Sequence, residues 1–173
     1  EKAVSASSLP LPTSLGGVEI RIRDSQNTER YATLFYVSPD QINYKVPAGT
    51  AIGNATIGFY RDGQLIAFGT LRVATHAPGI FTANQNGVGV PAANIQSNKA
   101  DGSITFEDAF RYDSVQNIFV PKPISLGDGS DPTYLLLYAT GVRGVTSADT
   151  VTALIGGVPA PVVYVGPQGA YDG

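Results

Sequence analysis

The stretch ATIGFYRDGQLIAFGTLRV, residues 55–73, decides the fold class of this chain. Two runs rich in aliphatic and aromatic residues, 55–60 and 64–73, flank Arg61-Asp62-Gly63. An Asp-Gly pair between two such runs is a strong β-hairpin signal, because the favoured two-residue turn needs positive φ angles that Asp and Gly tolerate. The stretch therefore predicts two antiparallel strands.

Short strands separated by turns continue on both sides of this hairpin. Val18–Arg23 alternates apolar and charged residues, and this period of two is typical of a half-buried strand. The run 134–139 is continuously apolar and predicts a central strand that is buried on both faces. Further strands are predicted at 31–37, 41–47, 87–95, 104–112, 118–124, 151–155 and 162–165, with a short helical turn around 47–52 as the one helical alternative. Together with 20 Gly and 12 Pro, this spacing predicts an all-β sandwich or barrel.

The composition excludes several classes of function. The 173 residues carry a net charge of −3 and contain no run of Lys and Arg, so we expect no nucleic-acid partner. No apolar stretch approaches the ~20 residues that a membrane-spanning helix needs. Cys and Met are both absent, which removes disulfides and a Cys nucleophile, and we interpret a chain that begins at Glu1 as processed or trimmed.

An internal repeat is the most informative feature of the sequence. Leu15-Gly16-Gly17-Val18 recurs as Ile155-Gly156-Gly157-Val158, and each copy leads into an aromatic strand, at 32–39 and 160–167. The first copy continues into 40–47 and the hairpin of 55–73, whereas the second reaches the end of the sequence.

The repeat predicts two immunoglobulin-like β-sandwich units, residues 1–76 and residues 77–173. The second unit contains an inserted hairpin and is expected to be incomplete in this chain, because it lacks counterparts of the closing strands. An incomplete sandwich exposes an unpaired edge. Trimming, a tail that is not observed, or completion of the sheet by another chain would each explain the deficit.

Six segments of the sequence carry a resemblance to a known family. They are PLPTSLGGV (10–18), FYVSPDQINYKVP (35–47), APGIF (77–81), LYATGVRG (137–144), IGGVPAP (155–161) and YVGPQG (164–169). Together they resemble a family of uncharacterised bacterial C-terminal β domains, found in large secreted proteins of acidobacterial type. The resemblance implies tandem immunoglobulin-like units similar to the IPT/TIG class, and it implies a secreted or cell-surface location. Family members continue after the segment matching 166–173 into a further strand and a closing hairpin, and they begin with a strand before Glu1, so this chain departs from them at both ends. The family carries no established catalytic residues, and none is transferred.

Candidate catalytic and metal-binding residues are few. His76 is the sole histidine, so any Ser/His/Asp triad would have to use it, and a loop histidine that bonds to the backbone is the simpler interpretation. Asp128 and Asp131, with Ser130 between them, offer oxygen atoms to Ca²⁺, but a turn stabilised by the Asp side chain is the favoured reading.

Three further groups of residues have both a functional and a structural interpretation. Glu107, Asp108 and Asp113 are candidates for paired-carboxylate glycosidase chemistry, but alternation places the first two on opposite strand faces. Asn54-Ala55-Thr56 matches a glycosylation acceptor, a motif that is common by chance. Five aromatic residues are candidates for a sugar-binding platform, although a core face is the favoured reading for those of shared parity (Phe106, Phe110 and Tyr112, with Tyr31 and Tyr60 elsewhere).

These observations predict a non-enzymatic extracellular structural module that needs no cofactor and no metal. We expect it to associate by strand complementation with copies of itself or with a larger surface protein. The predicted interface comprises Val162, Val163, Tyr164 and Val165. The alternative function is a module that binds carbohydrate or another surface ligand, with a glycan as its partner.

Overall fold

The computed structural model describes residues 2–142 and 144–168, and within them the chain is all-β, with several antiparallel sheets and no α-helix. The chain divides between Thr75 and His76 into unit 1 and unit 2. The sequence-based division after His76 differs from this position by one residue.

Unit 1 contains eight strands among its described residues. They are β1 Val4–Ser5, β2 Ser14–Leu15, β3 Val18–Arg23, β4 Glu29–Tyr31, β5 Thr33–Val37, β6 Ile42–Lys45, β7 Gly53–Arg61 and β8 Gln64–Val73. One sheet has the order β1-β5-β6 and the other β2-β3-β7-β8, with β4 also paired to β3. The predicted hairpin of 55–73 is β7–β8, with Arg61 opposite Gln64 and positive φ at both Asp62 and Gly63.

The core of unit 1 is built from both of its sheets. The alternation predicted for β3 holds, because Val18, Ile20 and Ile22 are buried while Glu19, Arg21 and Arg23 lie on the other face. The second sheet contributes Leu34 and Val37 to the same cluster. Fully burying one aliphatic side chain of this size stabilises a fold by about 1.5–3 kcal/mol.

Unit 2 contains nine shorter strands among its described residues. They are β9 Gly79–Ile80, β10 Ala93–Asn98, β11 Ile104–Asp108, β12 Phe110–Asp113, β13 Ile118–Pro121, β14 Thr133–Leu137, β15 Ala139–Thr140, β16 Ala153–Ile155 and β17 Val158–Ala160, with a 3₁₀ turn at Ala148–Thr150. They form a β11-β10-β14 sheet and the pairs β12–β13, β9–β15 and β16–β17.

Four strand predictions for unit 2 need correction. The strand predicted at 87–95 is β10, shifted towards the C-terminus because 87–92 forms a loop that contains Gly87, Gly89 and Pro91. The strand predicted at 104–112 is divided at Ala109, whose N–H donates to Ala93 O and whose carbonyl accepts from Lys122 N. The apolar run of β14 is only partly buried, because β10 and not β14 is the central strand. Residues 162–165 belong to no strand.

The proposed helical turn around 47–52 is a hydrogen-bonded turn without helix. Thr50 N donates to Pro47 O at 3.3 Å, and the Thr50 hydroxyl donates to the same carbonyl at 2.6 Å. This turn leads directly into β7.

Candidate interaction surfaces

The Gly-Gly repeat forms the same turn in both units. Gly16-Gly17 closes β2–β3 with Leu15 opposite Val18, and Gly156-Gly157 closes β16–β17 with Ile155 opposite Val158. The φ angles are +57° and +76° in the first turn and +59° and +83° in the second. Positive φ at both central residues is the requirement of a tight two-residue hairpin, and glycine meets it without steric cost.

The two turns differ in what covers them. In unit 1 the strand after the turn pairs with β7, and Val18 is 1% exposed. In unit 2 the corresponding Val158 is 66% exposed, and Leu154 and Ile155 beside it are exposed as well. The second hairpin therefore presents an apolar surface to solvent that the first hairpin buries.

The predicted interface residues follow this exposed hairpin directly. Val163 and Tyr164 are exposed, Val162 and Val165 are partly buried, and the Tyr164 hydroxyl donates to Pro167 O at 2.8 Å. A shallow groove of about 380 Å³ lies alongside, lined by small and apolar side chains that include Val162 and Leu154. The predicted segment is therefore accessible but contributes no strand of its own.

The outer face of the larger sheet in unit 1 carries an aromatic and cationic cluster. The Arg21 guanidinium lies 4.0 Å from the centre of the Tyr60 ring and 5.1 Å from that of Tyr31. It also donates to Glu19 Oε2 at 3.1 Å, and this hydrogen bond raises the pKa of Arg21 above its ordinary value, while partial burial acts in the opposite direction. The cluster joins side chains of β4, β3 and β7 by cation–π contacts, in addition to the backbone pairing of these strands.

The exposed end of the β7–β8 hairpin is apolar. Leu65, Ile66 and Phe68 are all exposed, with Phe68 at 80%. Gly58 lies beneath this group, since a Cβ atom there would come within 2.9 Å of the Tyr60 ring and 3.4 Å of Leu65. The ring and the aliphatic side chain therefore cover a strand glycine on the solvent face.

One buried carboxylate organises the loops at the other end of the sheet. Asp24 is 4% exposed and accepts hydrogen bonds at 3.0 Å from the backbone N–H groups of Gln26, Thr28 and Ala51. Arg30 Nη1 donates to it at 2.6 Å. The backbone bond from Ala51 is the largest cause that lowers the pKa of Asp24 to about 2, against the opposing effect of burial.

Unit 2 contains an aromatic hairpin that a side-chain amide attaches to a neighbouring loop. Phe119 on β13 meets Phe110 and Tyr112 on β12 edge to face, with ring centres 5.3 and 5.4 Å apart. Asn84 accepts from Phe119 N at 2.7 Å and donates to Phe119 O at 3.1 Å. Asn84 thereby satisfies both backbone groups of one strand residue, as a neighbouring strand would.

The candidate aromatic platform does not assemble as one surface. Phe110 and Tyr112 share a face, as their parity predicts, but Phe106 lies on β11 in a different sheet. Tyr31 and Tyr60 flank Arg21 in unit 1. Among the described residues, these five rings give no pair of stacked or coplanar neighbours.

The candidate metal and acid–base residues have structural partners. Asp128 accepts from the backbone and hydroxyl of Ser130, which is the predicted side-chain turn, and Asp131 pairs with Lys99 at 2.9 Å. No group of three or more His, Asp or Glu side chains suited to a metal ion occurs in the described part of the chain.

The candidate acids and His76 also have separate surroundings. Glu107 pairs with Lys122 at 2.6 Å, and Asp113 accepts from the backbone of Val115 at the tip of the β12–β13 hairpin. His76 is exposed at the start of unit 2.

Sequence reasoning missed the Arg21 cluster and the role of Asp24. The signal for the first was present, because the alternation of β3 places Arg21 on the outer face. Its two tyrosines come from strands whose pairing the sequence does not specify. No local pattern indicates the role of Asp24, because its bond to Ala51 joins positions 27 residues apart.

Comparison with known proteins adds no assignment, because no family model, no curated protein and no solved structure matches this chain. A search of the described residues for helices capable of crossing a membrane found none.

Proposed function

We propose that this chain is a non-enzymatic structural module that assembles with other chains outside the cell or at the cell surface. The observation that carries the proposal is the contrast between the two Gly-Gly hairpins. Val18 is buried on a strand that pairs with β7, whereas Val158, at the same place in the repeat, is exposed. The second hairpin keeps an apolar sequence that its own described surroundings do not bury.

The distribution of apolar surface in unit 2 supports the same proposal. Its buried hydrophobic side chains, among the described residues, are Ala83, Ala93 and Ile95. Exposed apolar side chains of larger size include Ile104, Phe106, Leu154, Ile155 and Val158. Leu154, Ile155 and Val158 lie together on one hairpin, and grouped exposed apolar side chains are typical of protein contact sites.

The proposal includes an immunoglobulin-like fold for both units. Two antiparallel sheets that share one core in unit 1, and the recurrence of the Gly-Gly hairpin in unit 2, support two immunoglobulin-like units. The resemblance to secreted bacterial C-terminal β domains supports an extracellular location. The partners would be copies of this chain or a larger surface protein.

The alternative of a carbohydrate-binding module receives less support from the geometry. A sugar platform needs exposed aromatic faces that lie side by side. The faces of Tyr31 and Tyr60 meet the Arg21 guanidinium, and Phe110 and Tyr112 pack against Phe119.

The proposal is tested by measuring molar mass in solution over a concentration series with light scattering. We expect the unmodified chain to associate as its concentration rises, and we expect Leu154→Ser combined with Val158→Ser to weaken that association. Val115→Ser is the matched control, because Val115 is 94% exposed at the tip of a different hairpin. A chain that stays monomeric at every soluble concentration would overturn the proposed assembly with copies of itself.

A further inference from the structure

The outer edge of β8 is the longest strand edge left unpaired among the described residues. β8 is ten residues long and is the last strand in the order β2-β3-β7-β8. The register with β7 shifts between Phe59 and Tyr60, so residues 67–73 form the regular part of the strand. That part contains no Pro, and its one charged side chain is that of Arg72. Pro and charged side chains, above all Lys, are the residues that commonly prevent an edge from pairing.

The edge of β17 differs from that of β8 in its backbone groups. Ile155 and Val158 close the two-residue hairpin, and this closing pair is hydrogen-bonded. Backbone groups alternate in direction along a strand, so those of Pro159 and Pro161 face away from β16. Proline has no N–H to donate, and the outer edge beside the predicted interface is therefore a poor site for strand addition.

The regular part of β8 is complementary to itself when two copies run antiparallel. With Thr70 opposite Thr70 of a second copy, Phe68 lies opposite Arg72. In the same register small residues meet larger ones, since Gly69 lies opposite Leu71 and Ala67 opposite Val73. Directly opposed residues share a face of the sheet.

The two residues of each pair lie on the same face of the sheet in unit 1. Phe68 and Arg72 lie opposite Gly58 and Asn54 of β7, which places both on the outer face. The 80% exposure of Phe68 leaves its ring free to receive a guanidinium. Symmetry repeats the contact, so one dimer contains two cation–π pairs and one central Thr–Thr pair.

We infer that β8 pairs antiparallel with β8 of a second copy of this chain, about a twofold axis at Thr70, to form one continuous sheet. The inference rests on the proposed self-association and adds to it a contact in unit 1, with its own register, besides the exposed hairpin of unit 2. Main-chain hydrogen bonds supply affinity, as in strand addition generally, and the Phe68–Arg72 pairs fix the register. The contact is isologous, because the same strand is used by both copies.

Cysteine cross-linking tests the register directly, because the chain has no native cysteine. Thr70→Cys would place two sulfur-bearing residues directly opposite each other, with Cα atoms about 4.5–5.5 Å apart, which suits a disulfide. Thr56→Cys is the matched control. Thr56 is an exposed threonine on the same face of the sheet, opposite Thr70 on β7, but its distance to its symmetry mate would be about 14 Å.

The expected result is a disulfide-linked dimer for Thr70→Cys under mild oxidation and none for Thr56→Cys. An associating chain in which Thr70→Cys fails to cross-link, or in which both variants cross-link equally, overturns the β8 register and leaves the proposed assembly function intact. A chain that does not associate at all overturns both the β8 pairing and the proposed self-assembly.

A non-covalent variant provides a second measurement on the uncross-linked protein. Arg72→Gln should raise the dimer dissociation constant by about tenfold, since it removes both cation–π pairs. Arg23→Gln, an exposed arginine on β3 of the same sheet, should leave the constant unchanged. Equal effects of the two substitutions would overturn the pairing.

Discussion

Gly141 offers the sharpest test of the geometry of unit 2. Its φ angle is +74°, and its carbonyl accepts a hydrogen bond of 3.0 Å from Ala77 N. A Cβ atom added to Gly141 would overlap the carbonyl carbon and oxygen of Ala77 and would lie 3.2 Å from Pro78 N. These are backbone atoms, so a rotating side chain cannot relieve the overlap.

Two costs therefore add for Gly141→Ala. The left-handed conformation costs an L-residue roughly 1–2 kcal/mol. Overlap with backbone atoms adds about 1–3 kcal/mol as the backbone shifts. Gly87 separates these costs, because its φ is +77° and a Cβ there would meet nothing within 4 Å. We expect Gly87→Ala to lower the free energy of unfolding by the first amount only, and Gly141→Ala by about twice that or more.

Chemical denaturation of the full chain, followed by circular dichroism, measures both variants against the unmodified protein. Asn at each position adds a further control, because Asn tolerates positive φ better than Ala but still carries a Cβ atom. Gly87→Asn should recover much of the loss, and Gly141→Asn should not. Equal destabilisation by alanine at the two positions would refute the close approach of Gly141 to Ala77.

Two further predictions concern single polar side chains. In the folded protein the pKa of Asp24 is about 2, below its ordinary value of 3.8. Its contribution to stability is therefore fully present above about pH 4 and is lost as the pH falls towards 2. Asp24→Asn should remove this part of the acid dependence of thermal unfolding, and an unchanged acid profile would contradict the role of Asp24. Asn84→Ala should destabilise unit 2 by about 1–3 kcal/mol, because it leaves the two backbone groups of Phe119 without their partner. Asn86→Ala in the same loop is the control. Equal unfolding midpoints for the two variants would count against the attachment of Phe119 by Asn84.

The extent to which the sequence predicted the fold follows from the range of the interactions involved. The β7–β8 hairpin was predicted correctly, because its signal lies within a few adjacent residues. The two Gly-Gly pairs were identified only as a repeat, and the hairpins that they close were not predicted. The division of the strand at Ala109 was not predicted, because it depends on bonds to Ala93 and Lys122. The apolar run of β14 was interpreted as a central strand, since hydrophobicity alone does not report strand order.

The same limit applies to the candidate surfaces. Val163 and Tyr164 are exposed, but the two prolines before them were not recognised as an obstacle to strand addition. The free edge of β8 was not anticipated, because a hairpin sequence specifies its own pairing and says nothing of the strand that would lie beside it.

The two Gly-Gly hairpins differ in the substitutions that they tolerate. Positive φ constrains the glycines of both turns. A Cβ atom at Gly17 would also lie 2.7 Å from Asp62 Oδ1, whereas one at Gly156 or Gly157 would meet nothing within 4 Å. The first turn should therefore reject other residues more strongly than the second in a saturation library. The flanking apolar residues are constrained by their surroundings, and polar substitution should be selected against at Val18 during folding and at Val158 only when a partner is present. A library sorted once for folded protein and once for assembly would separate these two pressures within a single repeated motif.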